Sequence, residues 1–122
     1  MLTNFEKETF ELTDLEMLAL PHLIKGFSRY TKENPIKSDE IINSFNAYLQ
    51  RQNIGIKITG VRLRKFCNYI RQNALLPLIA TSSGYYVSND KNEIEKQIKS
   101  LYERAKSIRD SADGLKKFIQ HG

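Results

Sequence analysis

Apolar residues recur along most of the chain at intervals of three and four, the spacing that gives an amphipathic helix one buried face. This pattern predicts helices over about residues 14–32, 38–53, 60–73 and 90–120. Two short apolar runs on either side of Ser82-Ser83-Gly84 predict a β-hairpin over about residues 76–88. The expected fold class is therefore mainly α with a small β-hairpin.

Residues that can accept backbone N–H groups stand where these helices should begin. The expected caps are Thr13, Ser38, Thr59 and either Asn89 or Asp90. Glu16 follows Thr13 by three residues and completes a capping-box pattern, and Pro21 should bend the first helix. The expected buried stripe of that helix is Leu15, Leu18, Ala19, Leu23 (or His22), Phe27 and Tyr30. Residues 56–58 alternate as a short strand does and are expected to pair with the hairpin.

The third predicted helix has one apolar face and one basic face. Its apolar stripe consists of Leu63, Phe66, Cys67, Ile70 and Ala74. The other positions carry no carboxylate and hold Arg62, Arg64, Lys65, Asn68, Tyr69, Arg71 and Gln72. Such a face suits a groove lined with phosphates, although an ordinary solvated helix face can have the same composition.

The distribution of charge favours a phosphate-binding face over an ordinary solvated one. The chain has a net charge of +5, and no Asp or Glu stands between Glu40 and Asp90. That interval contains six cations, so the rest of the chain sums to −1. The six are Arg51, Lys57, Arg62, Arg64, Lys65 and Arg71. Because the positive charge coincides with the third helix, an anionic partner is favoured over a random scatter of charge.

The order helix, helix, short strand, helix and hairpin extends over about residues 13–89, and in this order the chain resembles the winged helix-turn-helix family. It is most similar to small uncharacterised phage and prophage proteins of bacteria. The resemblance is carried by ITGVRLRKFCNYIR at residues 58–71 and by ATSSGYY at residues 80–86. It implies a DNA-binding architecture with a recognition helix at about residues 60–73 and the hairpin as its wing.

The expected DNA contacts come partly from that resemblance and partly from the residues themselves. By position, the resemblance implies contacts from Arg62, Arg64, Lys65, Asn68, Ser82 and Ser83. The basic interval adds Arg51, Lys57 and Arg71 on phosphates, Thr59 at the helix start, and Val61 against a thymine methyl. The wing departs from many DNA-binding wings, because no Lys or Arg stands between Ile79 and Asn89.

The last predicted helix carries a heptad seam, with apolar residues spaced alternately by four and three. The seam consists of Ile94, Ile98, Leu101, Ala105, Ile108, Ala112, Leu115 and Ile119. This pattern predicts a coiled-coil contact between two chains and hence a homodimer. The alternative is that the helix folds back and buries the seam against its own first helix. The expected domain organisation is a lead-in at residues 1–12, a winged-helix domain at 13–89 and the long helix at 90–120.

Several functional classes are not expected from this sequence. Neither histidine has a Cys, His or carboxylate at metal-ligand spacing, and no carboxylates cluster in the basic interval, so no metal, cofactor or enzymatic activity is expected. The sequence has no run of 18 apolar residues, so no membrane span is expected. The one cysteine, Cys67, lies on an apolar stripe, which fits a reducing, cytoplasmic setting. The resemblance implies that this setting is a bacterial cell, in a phage or prophage context.

The sequence therefore predicts a double-stranded DNA-binding dimer that acts in transcriptional regulation or phage DNA metabolism. The alternative is a non-enzymatic protein-interaction module, because winged helices also serve as protein-binding scaffolds. In that case the basic face would bind an acidic phage or host protein, and the last helix would bind a partner helix.

Overall fold

The structure is a computed structural model, and it describes residues 11–120. Helix α1 is Asp14–Phe27, α2 is Ser38–Arg51 and α3 is Gly60–Gln72. Strands β1 (Leu78–Thr81) and β2 (Gly84–Val87) form an antiparallel pair, and α4 is Lys91–Gln120. The prediction of a mainly helical protein with a small hairpin is confirmed. The chain divides into two units, Met1–Ser88 and Asn89–Gly122.

The core of the first unit is formed by the facing sides of α1, α2 and α3 together with β1. Phe45 of α2 contacts Phe66 of α3 with ring centroids 5.8 Å apart, and Phe27 of α1 contacts Tyr85 of β2 at 5.5 Å. The predicted stripe of α3 is correct for Leu63, Phe66, Cys67 and Ile70, which are all buried, and wrong for Ala74, which is exposed beyond the end of the helix. Burial of these side chains supplies most of the free energy that holds three short helices together.

Helix α1 begins as predicted, and its buried stripe agrees with the prediction in part. The Thr13 hydroxyl accepts from the Glu16 N–H at 3.2 Å, and Glu16 Oε1 accepts from the Thr13 N–H at 2.8 Å, which completes the capping box. The predicted burial of Leu15 and Leu18 is wrong, because these side chains are 40% and 64% exposed. Ala19, Leu23 and Phe27 are buried as predicted, and Glu16 and Leu20 complete the buried stripe.

The first helix is also shorter than predicted, ending at Phe27 instead of near residue 32. The chain beyond it pairs with the hairpin: Val87 N–H donates to the Tyr30 carbonyl at 3.1 Å, and Ile36 exchanges backbone hydrogen bonds with Tyr85. The Tyr30 carbonyl is thus bonded to β2, and Ile36 forms an isolated bridge with Tyr85 outside the two-stranded sheet.

The predicted strand at residues 56–58 is not formed. Its backbone finds a partner in a side chain instead, because Asn46 of α2 accepts from the Ile58 N–H at 2.7 Å and donates to the Ile58 carbonyl at 3.0 Å. An asparagine side chain offers the same donor and acceptor as a peptide group, so it substitutes for a neighbouring strand. Ser38 is likewise the first residue of α2 and not its cap, which is Lys37 without a side-chain hydrogen bond.

The hairpin is closed by a two-residue turn. Thr81 lies opposite Gly84, and the pairing continues to Leu78 opposite Val87. Gly84 has φ +131°, and a Cβ atom there would overlap the Ile36 carbonyl, which accepts from Tyr85 N–H. A side chain at this position would thus meet both an unfavourable backbone conformation and a backbone neighbour.

The second unit consists mainly of α4, a helix of 30 residues. Asp90 caps it through Oδ1, which accepts from the Asn92 N–H at 2.8 Å, as one of the two predicted caps. Four large seam residues are exposed, namely Ile98, Ile108, Leu115 and Ile119. Among residues 11–120, none of the helices combines the length and apolar character needed to cross a membrane.

Replacing Gly84 by Ala is expected to lower the free energy of unfolding by about 2 kcal/mol, because the strained backbone and the overlap with Ile36 both disfavour a side chain. Urea denaturation followed by circular dichroism measures this change. Gly55→Ala is the control, since a Cβ there meets nothing within 4 Å and the expected change is within about 0.5 kcal/mol. Equal stability of the two variants would contradict the packing of the hairpin against Ile36.

Candidate nucleic-acid interface

The outer face of α3 is a stripe of exposed side chains that begins near the first residue of the helix. The Thr59 hydroxyl caps α3 by accepting from the Arg62 N–H at 3.2 Å. Val61, Arg64, Asn68 and Gln72 follow at spacings of three, four and four, which places them on one face. All four are exposed, Val61 to 66% of its surface. We call these four residues the α3 outer stripe.

Two other cations of α3 point toward α1 instead of solvent. Arg62 Nε donates to Glu16 Oε2 at 2.8 Å, and Lys65 Nζ donates to Glu16 Oε1 at 2.7 Å. The Glu16 side chain is fully buried, while the Lys65 and Arg62 side chains are 12% and 34% exposed. One carboxylate in α1 therefore binds two cations three residues apart on α3.

The ion pairs keep Glu16 ionised inside the fold. Burial by itself raises the pKa of the Glu16 carboxyl. The hydrogen bonds from Lys65 and from the Thr13 N–H, with the charges of Lys65 and Arg62, more than offset burial and lower the pKa below its ordinary value. The carboxylate thus has its charge balanced and both oxygens hydrogen-bonded, the conditions under which a buried charge is tolerated.

The pairing with Glu16 leaves Arg62 and Lys65 less available for the DNA contacts predicted for them. Arg62 also donates through Nη1 to the Lys57 carbonyl at 2.9 Å, so two of its three guanidinium nitrogens are hydrogen-bonded within the fold. Lys65 has little exposed surface from which to reach a ligand. Arg64 and Asn68 are the predicted polar contacts that the outer stripe presents to solvent.

The remaining predicted residues lie at the borders of α3. Arg51 is the last residue of α2, and Lys57 lies in the connection to α3; both are exposed. Arg71 is half-buried near the end of α3, where its Nε donates to the Leu78 carbonyl at 3.1 Å. Arg71 therefore joins α3 to β1, whereas Arg51 and Lys57 keep exposed side chains.

The hairpin turn exposes two hydroxyls, as its sequence suggested. Ser82 and Ser83 form the turn, and the Ser83 N–H donates to the Thr81 hydroxyl at 3.1 Å. A shallow depression beside the turn is lined by Ser82 and other hairpin residues and by Lys37 and Asp39. Lys37, which the sequence did not associate with the hairpin, thus lies near the turn, and Asp39 lines the same depression.

The sequence signal for the Glu16 pairing was present but indistinct. Glu16 precedes Leu20, Leu23 and Phe27 by four, seven and eleven residues, so it falls on the same helical face. A charged residue in that position is ordinarily taken to interrupt an apolar stripe. The cations that balance it are 46 and 49 residues away along the chain, and no local pattern connects them.

His22 packs where α1 meets α2. Its ring stacks on Tyr48 with centroids 3.4 Å apart and lies 5.8 Å from Phe45. Burial, and then the charges of Arg29, Arg51 and Lys25, lower the pKa of this imidazole. His22 thus packs against the rings of α2, and residues 11–120 contain no group of three potential metal ligands.

No protein-family model, curated protein or solved structure matches this chain.

Replacing Glu16 by Gln is expected to lower the free energy of unfolding at pH 7 by about 2 kcal/mol, because two partly buried cations lose their counter-charge. The pKa of Glu16 is lowered in the folded state, so its contribution is complete above the ordinary value of 4.5. That contribution is lost as the pH falls through the lowered pKa. The difference between wild type and Glu16→Gln should therefore shrink below pH 4.5 in urea denaturation.

The matched control is Glu33→Gln, which removes the same charge from an exposed position. It should change the stability at pH 7 by less than about 0.5 kcal/mol. A difference between wild type and Glu16→Gln that stays constant down to pH 3 would show that the carboxylate charge does not stabilise the fold.

Proposed function

We propose that this protein binds double-stranded DNA, with the α3 outer stripe entering the major groove. The observation that carries the proposal is the exposed sequence Val61, Arg64, Asn68 along one face of a helix in a segment without carboxylates. An α-helix fits the major groove, and side chains near its first turns reach base edges. The pairing of Arg62 and Lys65 with the buried Glu16 supports this assignment, because it orients α3 with Arg64 facing outward.

Each residue type of the stripe suits a particular contact. Arg64 can donate two hydrogen bonds to the O6 and N7 acceptors of guanine, and Asn68 can form the corresponding pair with adenine. The exposed Val61 side chain suits the methyl group of thymine. These contacts would carry the sequence preference, while cations at the borders of the helix carry sequence-independent affinity.

Phosphate contacts are assigned to the exposed cations that flank α3. Arg51 and Lys57 precede the helix and are exposed. The hydroxyls of Ser82 and Ser83 can donate to phosphate oxygens from the hairpin turn. The hairpin follows α3 directly and is joined to it by Arg71, which favours a winged helix-turn-helix arrangement in which turn and helix bind the same duplex.

We further propose that two copies associate through α4 and occupy two half-sites. The support is the exposed seam of α4, since a helix of this length with an uncovered apolar stripe gains stability from a partner helix. A dimeric DNA-binding protein of this kind suits transcriptional regulation or phage DNA metabolism in the bacterial cytoplasm.

A protein-interaction module is the second candidate, and three specific observations favour it. Glu16 neutralises part of the positive charge of α3, and the hairpin turn carries no cation of its own. The exposed side chains of Leu15 and Leu18 on α1 are also of the kind found in protein contacts. In this case the α3 outer stripe would contact an acidic protein surface.

Replacing Arg64 by Ala is expected to weaken binding to a selected duplex by about 5- to 150-fold, because a bidentate contact to guanine is lost. Fluorescence anisotropy at several salt concentrations measures the affinity, after a preferred sequence has been selected from a random duplex pool. The stability of the variant should stay within about 0.5 kcal/mol of wild type, since the Arg64 side chain is exposed.

Arg29→Ala is the matched control, because it removes the same charge from an exposed position after α1. It should leave the selected duplex bound within about twofold. Arg62→Ala should chiefly destabilise the fold, since Arg62 binds Glu16. Equal affinities of wild type, Arg29→Ala and Arg64→Ala would remove the α3 outer stripe from any DNA interface.

A further inference from the structure

The residues of the exposed α4 seam favour one orientation of a partner helix over the other. In heptad notation, Ile98, Ala105, Ala112 and Ile119 occupy position a, and Ile94, Leu101, Ile108 and Leu115 occupy position d. Ile94 and Leu101 are partly buried, whereas the other six side chains are exposed, Ile119 to 80% of its surface. Most of the seam is therefore available to a partner.

We propose that α4 pairs with α4 of a second copy in antiparallel orientation, about a two-fold axis between Lys106 and Ser107. Antiparallel helices place each a residue opposite a d residue. With the axis at this point, all eight seam residues of each copy have a partner: Ile98 faces Leu115, Ala105 faces Ile108, Ala112 faces Leu101 and Ile119 faces Ile94. No other position of the axis uses the whole seam.

The volumes of the seam residues favour this orientation. A parallel dimer in register would place Ala105 on Ala105 and Ala112 on Ala112, leaving two thin layers in the middle of the interface. The antiparallel pair places each alanine opposite Ile108 or Leu101 of the second copy. Every layer then contains at least one large residue, and no layer consists of two alanines.

The charges beside the seam also favour the antiparallel orientation. A parallel pair brings the g position of one helix next to the following e position of the other, so Arg104 would lie beside Arg109 on both sides of the dimer. An antiparallel pair brings e next to e and g next to g. Glu95 then lies beside Lys116, Tyr102 beside Arg109 and Arg104 beside Ser111. Two like-charge contacts are replaced by two ion pairs and two cation–π contacts.

The orientation has a consequence for DNA, and this consequence alone rests on the proposed function. Antiparallel pairing separates the two N-terminal ends of α4 by nearly the length of the helix. For 30 residues this is about 45 Å. Half-sites on successive turns of DNA are roughly 34–36 Å apart, a separation of the same order. A parallel pair would instead bring these ends within roughly 10 Å of each other.

Spin labels on the outward f positions distinguish the two orientations. Cysteine is introduced singly for Lys96, Glu103, Asp110 or Lys117, which are all exposed, and distances within the dimer are measured by pulsed electron paramagnetic resonance. The antiparallel pair gives axial separations of about 31 Å at 96 and 117 and about 10 Å at 103 and 110. A parallel pair gives one distance at all four sites and overturns the proposal.

The native cysteine provides the labelling control. Cys67 is buried, and burial raises its pKa to about 11, so wild-type protein should remain essentially unlabelled at pH 7. Light scattering during size-exclusion chromatography, done on each labelled variant, establishes that it is a dimer. A monomer at high micromolar concentration, or a trimer or tetramer, also overturns the proposal.

A charge exchange tests the proposed neighbours directly. Glu95→Lys and Lys116→Glu should each raise the dimer dissociation constant by about 3- to 10-fold, and the double variant should return to within about twofold of wild type. In a parallel pair, positions 95 and 116 are about 31 Å apart and no such recovery occurs. Glu103→Lys is the control, since the same charge change at an f position should leave the constant within about twofold.

The two proposals can fail separately. An antiparallel dimer that binds no duplex DNA would retain the pairing and overturn the DNA-binding function. A monomer, or a dimer with equal label distances, that still loses affinity on Arg64→Ala would overturn only the antiparallel pairing.

Discussion

The buried carboxylate of Glu16 is the constraint on which the arrangement of the first unit depends. An ionised carboxylate away from water is strongly unfavourable unless opposite charges and hydrogen bonds offset the loss of hydration. Thr13, Arg62 and Lys65 provide them. Because the two cations are three residues apart on α3, their common partner sets the rotation of α3 about its own axis. The same rotation exposes Val61, Arg64 and Asn68.

The other end of α3 is held by the hairpin. Arg71 binds the Leu78 carbonyl, and the hairpin in turn pairs with Ile36 at the close contact that only Gly84 permits. The α3 outer stripe thus lies on a helix fixed to α1 near its beginning and to β1 near its end. A ligand that binds a surface already held in place loses less conformational entropy than one that must order it. This rigidity serves DNA binding and protein binding equally well.

Local sequence patterns predicted the elements well, and the errors have a common origin. Caps such as Thr13, Thr59 and Asp90 act on N–H groups two or three residues away, so their effect can be read locally. The strand expected at residues 56–58 failed because Asn46, twelve residues earlier in the chain, supplies its hydrogen bonds. The end of α1 was misplaced because Tyr30 pairs with Val87, and no short-range pattern contains that contact.

The sequence by itself determined which segments are helical, where the hairpin lies, that the cations gather in a segment without carboxylates, and that α4 repeats every seven residues. It also contained the full list of candidate contacts. Only the tertiary structure decided which cations on that list are exposed. In the sequence, Arg62 and Lys65 resemble a DNA-contacting pair, because both are cations in the first half of α3. In the structure their side chains instead bind Glu16, which is 46 residues from Arg62. The physical reason is that a buried charge must be balanced by whichever opposite charges the fold brings within hydrogen-bonding distance, irrespective of their separation along the chain.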